Sequence, residues 1–270
     1  MKVIVGNIMA IYRKELQGYF VSPLAYAIAG VFWLLAGFFF VALLLGPEGA
    51  IAQAAFRDEQ IKQMGISVPP VDVPYQFVQL FLQLMGSLSL FVLPVLSMGL
   101  YAEERKRGTL ELLATSPITN WAVATGKLLG VLTFFTTIVV PLLACELIAL
   151  SASTPPMPPA VPLLAHLGLV LLAASILSLG MFISSLTDST ILAAVLTFAL
   201  VLFLWVIDLL ANSISGPVGE ALAHLSLLKH YSNLVQGVID SSSLIVFASY
   251  IALGVFLTAQ SVETLRYQQS

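Results

Sequence analysis

Charged residues are scarce in this chain. Only 9% of its 270 residues are Asp, Glu, Lys or Arg, whereas 59% are hydrophobic and the mean hydropathy is +0.99. Soluble globular domains carry about a quarter of charged residues, so this composition excludes a soluble fold, which could not bury so much apolar surface. Most of the surface must face lipid. Because long apolar segments satisfy their backbone in lipid as helices, the sequence predicts an all-α integral membrane protein.

Cysteine and the familiar catalytic motifs are also missing. The single cysteine, Cys145, excludes an internal disulfide and a cysteine zinc cluster. There is no HExxH, no GxSxG and no glycine-rich phosphate loop. The nearest approach, WAVATGKLLG, has Trp121 in place of the first glycine and Leu128 in place of Ser or Thr. We therefore predict that the chain is not an enzyme, holds no metal or cofactor of its own, and has no nucleic-acid partner.

Six stretches are long and apolar enough to cross a bilayer, which takes about 20 residues in a helix. They are residues 23–45, 74–102, 121–150, 161–186, 189–211 and 243–265. Ser22 and Pro23 form a typical start of a helix, with an N-cap followed by proline at the first position. Residues 212–242 are too apolar for a free loop and too interrupted for a span, so they predict two short reentrant helices on the outer side.

The lysines and arginines orient these spans. With six spans, both termini and the loops after spans two and four share one side. Eight of the eleven basic residues lie there, and the positive-inside rule places that side in the cytoplasm. They are Lys2, Arg13, Lys14, Arg105, Lys106, Arg107, Lys127 and Arg266. Arg57, Lys62 and Lys229 lie on the other side.

The segment before the first span, residues 2–22, has apolar residues at roughly helical spacing. These are Ile4, Ile8, Ile11, Tyr12, Tyr19 and Phe20, with Lys14 and Glu15 elsewhere around the helix. The pattern predicts an amphipathic helix in the cytoplasmic interface. A disordered tail is the alternative interpretation.

Five consecutive charged residues, Glu103 to Arg107, follow span two inside the segment 103–120. Gly108 permits a sharp turn, and Thr109 to Ala114 predict a short helix that presents Leu110, Leu112 and Leu113. Ser116 and Pro117 end it. A simple stop-transfer anchor would explain the basic residues, but not the adjacent glutamates or the leucines.

Two carboxylates and a pair of glycines lie within the spans. Glu146 and Asp208 are near the outer ends of spans three and five, and such groups usually face a cavity or a partner. They therefore remain candidates for a pathway or an interface, with contact to headgroup water as the alternative. Gly126 and Gly130 form a small-xxx-small pattern that lets helices approach closely.

The central segment EERKRGTLELLATSPITNWAVATGKLLG resembles the signature of ABC-2-type transporter permeases. The matching positions are Glu103, Glu104, Gly108, Thr109, Glu111, Leu112, Ser116, Pro117, Gly126 and Lys127. The N-terminal YRKELQGYFVSPLAYAIAGVFWLLAGFFF is further similar to the gliding-motility-associated permease subunits of that family.

This resemblance implies a type V exporter-like subunit of six spans in the bacterial inner membrane, which pairs with a second permease, identical or homologous. Two separate ATP-binding subunits would bind ATP and Mg²⁺, and a periplasmic accessory subunit stays open. Residues 103–120 would be the coupling region and residues 2–22 the elbow helix, with Arg13, Lys14 and Glu15. Glu103, Glu104, Arg105 and Arg107 would pair with the ATPase, and the leucines would dock on it. Pairing of Glu104 or Arg105 with the elbow residues is the alternative.

Two other classes compete with a permease. A secondary transporter or channel would act without an ATPase, but it needs ionisable residues near the midplane, and Glu146 and Asp208 lie too far out. A membrane-embedded enzyme lacks a recognisable nucleophile, metal or acid–base set. The transported substrate does not follow from the sequence.

Overall fold

The structure, a computed structural model, describes residues 2–65, 72–110, 118–153, 157–214 and 216–267. Its elements are α1 (Lys2–Val21), α2 (Pro23–Leu45), α3 (Ala50–Met64), α4 (Val73–Ser97), α5 (Gly99–Lys106), α6 (Asn120–Ser151), α7 (Ala160–Leu186), α8 (Thr190–Ser213), α9 (Pro217–Leu225), α10 (Leu227–Val235) and α11 (Ser241–Tyr267). Throughout these described ranges the regular secondary structure is helical. Six of the helical segments are long and apolar enough to cross a membrane, which confirms that prediction. They contain α2 with α3, α4 with α5, α6, α7, α8 and α11.

Side-chain caps define where several helices begin. The Ser22 hydroxyl accepts a hydrogen bond from the Ala25 amide, and Pro23 follows at the first helical position, as the sequence predicts. Asp72 and Ser189 cap α4 and α8 in the same manner. Asn120 is the first residue of α6, and its predecessor Thr119 makes no capping bond.

The second membrane segment is not a continuous helix. It breaks at Met98, between α4 and α5, one turn after Pro94. Ser184 of α7 fills the gap: its hydroxyl donates to the Met98 carbonyl at 2.7 Å and accepts from the amides of Tyr101 and Ala102 at 3.0 Å each. The break is therefore stabilised by a neighbouring helix, because backbone groups left without a helical partner need another one in lipid.

The central helix is α7, which is the most buried of the six segments. Small residues along it let other helices approach closely. Gly180 faces Ser97 of α4, and Ser178 faces Gly254 of α11. The α7 core therefore brings spans two, four and six together, whereas α2 and α8 are the least buried of the six.

α1 runs alongside the first part of α6 in the same direction. Gly126 lies against Ile8 and Ile11, Gly130 lies against Glu15, and the Tyr19 and Phe134 rings stack with centroids 5.1 Å apart. Gly126 and Gly130 thus serve the contact with α1. This arrangement gives α1 a partner helix along its half-buried face. We call the end of the molecule that carries α1 and α5 the α1 end.

Residues 217–235 form two short helices, α9 and α10, joined at Ser226. α10 fits between two glycines of larger helices: the Tyr231 ring packs against Gly86 of α4, and Leu234 packs against Gly168 of α7. The Tyr231 hydroxyl donates to the Leu82 carbonyl. α10 is therefore held at the end of the bundle opposite the α1 end.

Candidate functional site

Four charged side chains form a cluster at the α1 end. Lys127 of α6 is only 2% exposed, and its Nζ lies 2.8 Å from the Glu15 carboxylate of α1 and 3.0 Å from the Glu104 carboxylate of α5. Lys14 also contacts Glu104, at 3.4 Å, but its side chain is 70% exposed. We call these four residues the ion cluster. It joins α1, α5 and α6 through charges that balance.

The position of Lys127 explains why the cluster forms. Lys127 lies between Gly126 and Gly130, where α1 approaches α6 closely, and its side chain is buried. A buried ammonium group is costly unless it is paired, and two carboxylates surround it. Its Nζ also lies 5.1 Å from the centre of the Tyr101 ring, which is a favourable cation–π distance.

The five consecutive charges divide between two faces of α5. Glu104 and Arg105 follow the buried Tyr101 at three and four residues, which is helical spacing for one face. Glu104 enters the ion cluster, and Arg105 Nη1 donates to the Ser185 carbonyl near the end of α7, at 2.9 Å. Both residues therefore hold α5 against the rest of the chain.

The remaining charges, Glu103, Lys106 and Arg107, face outward. Glu103 and Arg107 approach each other at 3.5 Å, one helical turn apart, with side chains 53% and 73% exposed. An exposed pair of this kind contributes little stability, about 0.5 kcal/mol or less. Each of these side chains can therefore leave this pair and bind another partner without disturbing the fold.

Gly108 ends α5 with the backbone geometry that the sequence suggests. Its φ of 68° lies in the left-handed region, where a side chain would be strained. The Thr109 amide bonds to the Glu104 carbonyl at 2.9 Å and the Gly108 amide to the Arg105 carbonyl at 3.1 Å, which together form a Schellman motif. Thr109 also donates from its hydroxyl to the Glu104 carbonyl.

The predicted coupling helix over 109–114 lies largely outside the described residues. Of its predicted site residues, Thr109 is described and exposed, and Leu110 is described and 5% exposed. Glu111, Leu112, Leu113, Ser116 and Pro117 fall outside.

Tyr19 adds a further tie between α1 and the helix break. Burial, reinforced by the negative charges of Glu15 and Glu103, raises the pKa of the Tyr19 phenol. The protonated hydroxyl donates at 2.7 Å to the Leu96 carbonyl, one of the last carbonyls of α4. The two ends of the break at Met98 are thus held by α1 and by α7.

Two residues of the ion cluster, Glu15 and Lys127, differ from what the sequence predicts. The sequence predicts Glu15 away from the apolar face of the N-terminal helix, whereas the structure places it on the face that packs against α6. In the sequence, Lys127 is recognisable as a basic residue and a position of the family motif, but its partners are not. The signal available was its place between two glycines in a span. The internal pairing of Glu104 with Lys14, which was the stated alternative, is present, whereas Arg13 is exposed.

The two other candidate carboxylates lie toward the opposite end of the bundle. Glu146 of α6 is fully buried beside His166 of α7. Asp208 of α8 is half-buried and accepts a hydrogen bond from Ser226, the cap of α10. Neither carboxylate is near the ion cluster. Within the described parts of the chain, no group of three metal-binding side chains occurs.

The chain matches one known protein family. The family model described as "ABC-2 family transporter protein" matches residues 57–219, which is more than half of the chain and includes α5, α6 and α7. The comparison with curated proteins gives no match. Members of this family are membrane transport components that associate with an ABC ATP-binding subunit. The six membrane-capable helices and the family match together show that this chain belongs to the ABC-2 transporter family.

Proposed function

We propose that this chain is the permease of an ATP-driven exporter and that it receives work from a separate ATP-binding subunit through the segment 103–120. That subunit would bind ATP and Mg²⁺. The observation that carries the proposal is the division of the charges in α5: Glu104 and Arg105 fix the segment to the bundle, whereas Glu103, Lys106 and Arg107 face outward.

A segment that transmits force must be fixed firmly to the helices it moves and must keep a free surface for its partner. Glu104 fixes α5 to α1 and α6, and the hydrogen bonds of Arg105 and Ser184 fix it to α7. A displacement of α5 would therefore pull on the ends of spans two, three and four together. In this chain, which carries no phosphate loop, the energy of ATP must arrive through such a contact.

The finer assignment follows the family resemblance. Two permeases, identical or homologous, would form the translocation pathway, with one ATP-binding subunit docked on each. The low burial of α2 and α8 in the single chain supports an interface through these helices. The same proposal includes a type V exporter architecture and kinship with gliding-motility permeases. In it, α1 is the elbow helix in the cytoplasmic interface of a bacterial inner membrane, and α9 and α10 are reentrant helices.

The proposal is tested by exchanging the outward charges. In the double variant Glu103→Lys with Arg107→Glu, the intrachain pair and the net charge persist, but the charges offered to a partner are reversed. We expect the wild-type chain, purified in mild detergent from its own membranes, to bring down an ATP-binding protein, and the double variant to lose most of it. The measurement is quantitative mass spectrometry of the purified complex.

Arg57→Glu on α3 is the matched control, since Arg57 is exposed and lies near the opposite end of the bundle. It should retain the ATP-binding protein. If no ATP-binding protein accompanies the wild-type chain, the proposed function is wrong. If the double variant retains a stoichiometric amount, the assignment of Glu103 and Arg107 is wrong while the function stands.

A further inference from the structure

A second pair of ionisable side chains lies far from the ion cluster and has no role in the proposed coupling. Glu146 of α6 has 0% and His166 of α7 has 4% of its surface exposed. Along α6, Glu146 lies about 28 Å from Lys127. His166 Nε2 is 3.7 Å from Glu146 Oε1, and neither of these atoms nor Glu146 Oε2 has a hydrogen-bond partner among the described residues. An ionised carboxylate in such a place would be very costly.

The hydrogen bond on the other side of the imidazole fixes its tautomer. His166 Nδ1 lies 2.9 Å from the Pro162 carbonyl oxygen. A carbonyl only accepts, so Nδ1 carries the hydrogen, and in a neutral imidazole Nε2 is then an acceptor. Nε2 faces a carboxylate oxygen, which is an acceptor as well when ionised. Without a further proton, two buried acceptors oppose each other.

One proton between the two side chains removes the conflict. It can give an imidazolium beside a carboxylate, or a neutral carboxylic acid that donates to neutral Nε2. The first is a fully desolvated ion pair, whereas the second keeps charge out of the apolar interior. We propose that Glu146 and His166 form a proton-binding site in which a neutral Glu146 carboxyl donates to His166 Nε2. For this hydrogen bond the 3.7 Å between Nε2 and Oε1 must shorten to about 3 Å.

The surroundings of this site indicate how its proton meets water. α10 packs against the same stretch of α7, with Leu234 on Gly168, two residues beyond His166. Tyr231 of α10 is the titratable group that faces the pair from this side, and its hydroxyl donates to the Leu82 carbonyl. Cys145, on the same helix as Glu146, is exposed instead. The site therefore keeps its proton while α10 is seated, and exchanges it when α10 moves away.

Infrared spectroscopy of the chain in lipid nanodiscs tests whether Glu146 is protonated. At neutral pH we expect the C=O stretching band of a protonated carboxylic acid. The band should shift when glutamate is labelled with ¹³C but not when aspartate is labelled, and Glu146→Gln should remove it. Asp208→Asn is the control, and it should leave the band in place because Asp208 is half-buried and already bonded to Ser226.

A second measurement tests whether α10 covers the proton-binding site. In Gly168→Ala the new Cβ would lie 2.9 Å from the Leu234 Cβ, so α10 must shift. We expect the carboxylic acid band to exchange faster in D₂O than in the wild type. Gly30→Ala, whose Cβ meets nothing within 4 Å, should exchange at the wild-type rate.

Three results would overturn the inference. A wild-type spectrum without a glutamic acid band at neutral pH shows that Glu146 is ionised. A ¹⁵N NMR spectrum that shows His166 as an imidazolium means that the proton lies on His166 and not on Glu146. An unchanged exchange rate in Gly168→Ala removes α10 as the cover. The glutamate label reports on the wild-type chain, so the test does not depend on the folding of Glu146→Gln.

Discussion

Lys127 is a buried cation within a helix that otherwise consists mostly of apolar and small residues. Its two carboxylate partners come from segments 112 and 23 residues away, so its charge is compensated only after α1, α5 and α6 have come together. The cluster therefore stabilises this end of the bundle only when the three helices are assembled correctly. Unpaired, the same lysine would oppose the packing that the two glycines allow.

Lys127→Met is expected to lower the free energy of unfolding by about 3 kcal/mol, because Glu15 and Glu104 then face each other without their central counter-charge. The measurement is a denaturation curve of the purified chain in detergent. Lys14→Met is the control: Lys14 is mostly exposed, so we expect a change below about 1 kcal/mol. Equal effects of the two substitutions would show that burial of Lys127 does not strengthen its pairing.

The pairing of Glu104 and Arg105 within the chain separates them from their neighbours. The prediction that Glu103, Glu104, Arg105 and Arg107 all bind the ATPase directly stays a prediction. We expect reversal at Glu104 to act through the fold, since it removes a partner of Lys127, whereas reversal at Glu103 leaves the ion cluster intact.

At the scale of elements, the break between α4 and α5 depends on one hydroxyl of α7. Ser184 makes three hydrogen bonds to backbone groups at the break. It fixes the direction in which α5 leaves α4, and hence the side of α5 that meets Lys127. The sequence of α4 alone does not contain this information.

Ser184→Ala should lower the free energy of unfolding by about 2 kcal/mol, because a carbonyl and two amides lose their buried partner. Ser87→Ala removes an exposed hydroxyl that bonds only to the Gln83 carbonyl of its own helix, and should change stability by less than about 0.5 kcal/mol. Both are measured by the same denaturation assay. If Ser184→Ala leaves the free energy of unfolding unchanged, the break is held by other contacts.

The close contact of α1 with α6 gives a prediction at the same scale. In Gly130→Ala, the new Cβ would lie 2.7 Å from the Glu15 Cβ, so α1 must move outward. We expect a loss of about 1–3 kcal/mol in the free energy of unfolding, typical of overpacking. Gly37→Ala has open space around its Cβ and should leave stability unchanged or slightly raised. If both variants unfold alike, α1 is not packed through Gly130.

At the scale of the whole molecule, the distribution of basic residues predicts the orientation in the membrane. In a Cys145→Ser background, we expect Lys62→Cys on α3 to react with a membrane-impermeant thiol reagent in cells whose membrane is intact. Lys106→Cys on α5 should react only after that membrane is opened. Both lysines are exposed, so burial does not limit either reaction. The reverse pattern would place α5 outside and remove any contact with a cytoplasmic ATPase.

The sequence by itself determined the six membrane-capable segments, the cap at Ser22 and the turn at Gly108. Apolar length is a property of consecutive residues, and a cap or a left-handed turn depends on neighbours a few positions away. The family signature from Glu103 to Lys127 is likewise local, and it was readable without a structure.

The tertiary structure alone decided which charges of α5 turn inward, where Glu15 points, and that Glu146 meets His166. Each of these depends on partners from a different helix, from 20 to 112 residues away, and on how closely small residues let the helices approach. Charge in an apolar chain shows that a partner must exist, because an unpaired buried charge is too costly. Only the packing of the helices determines which residue that partner is.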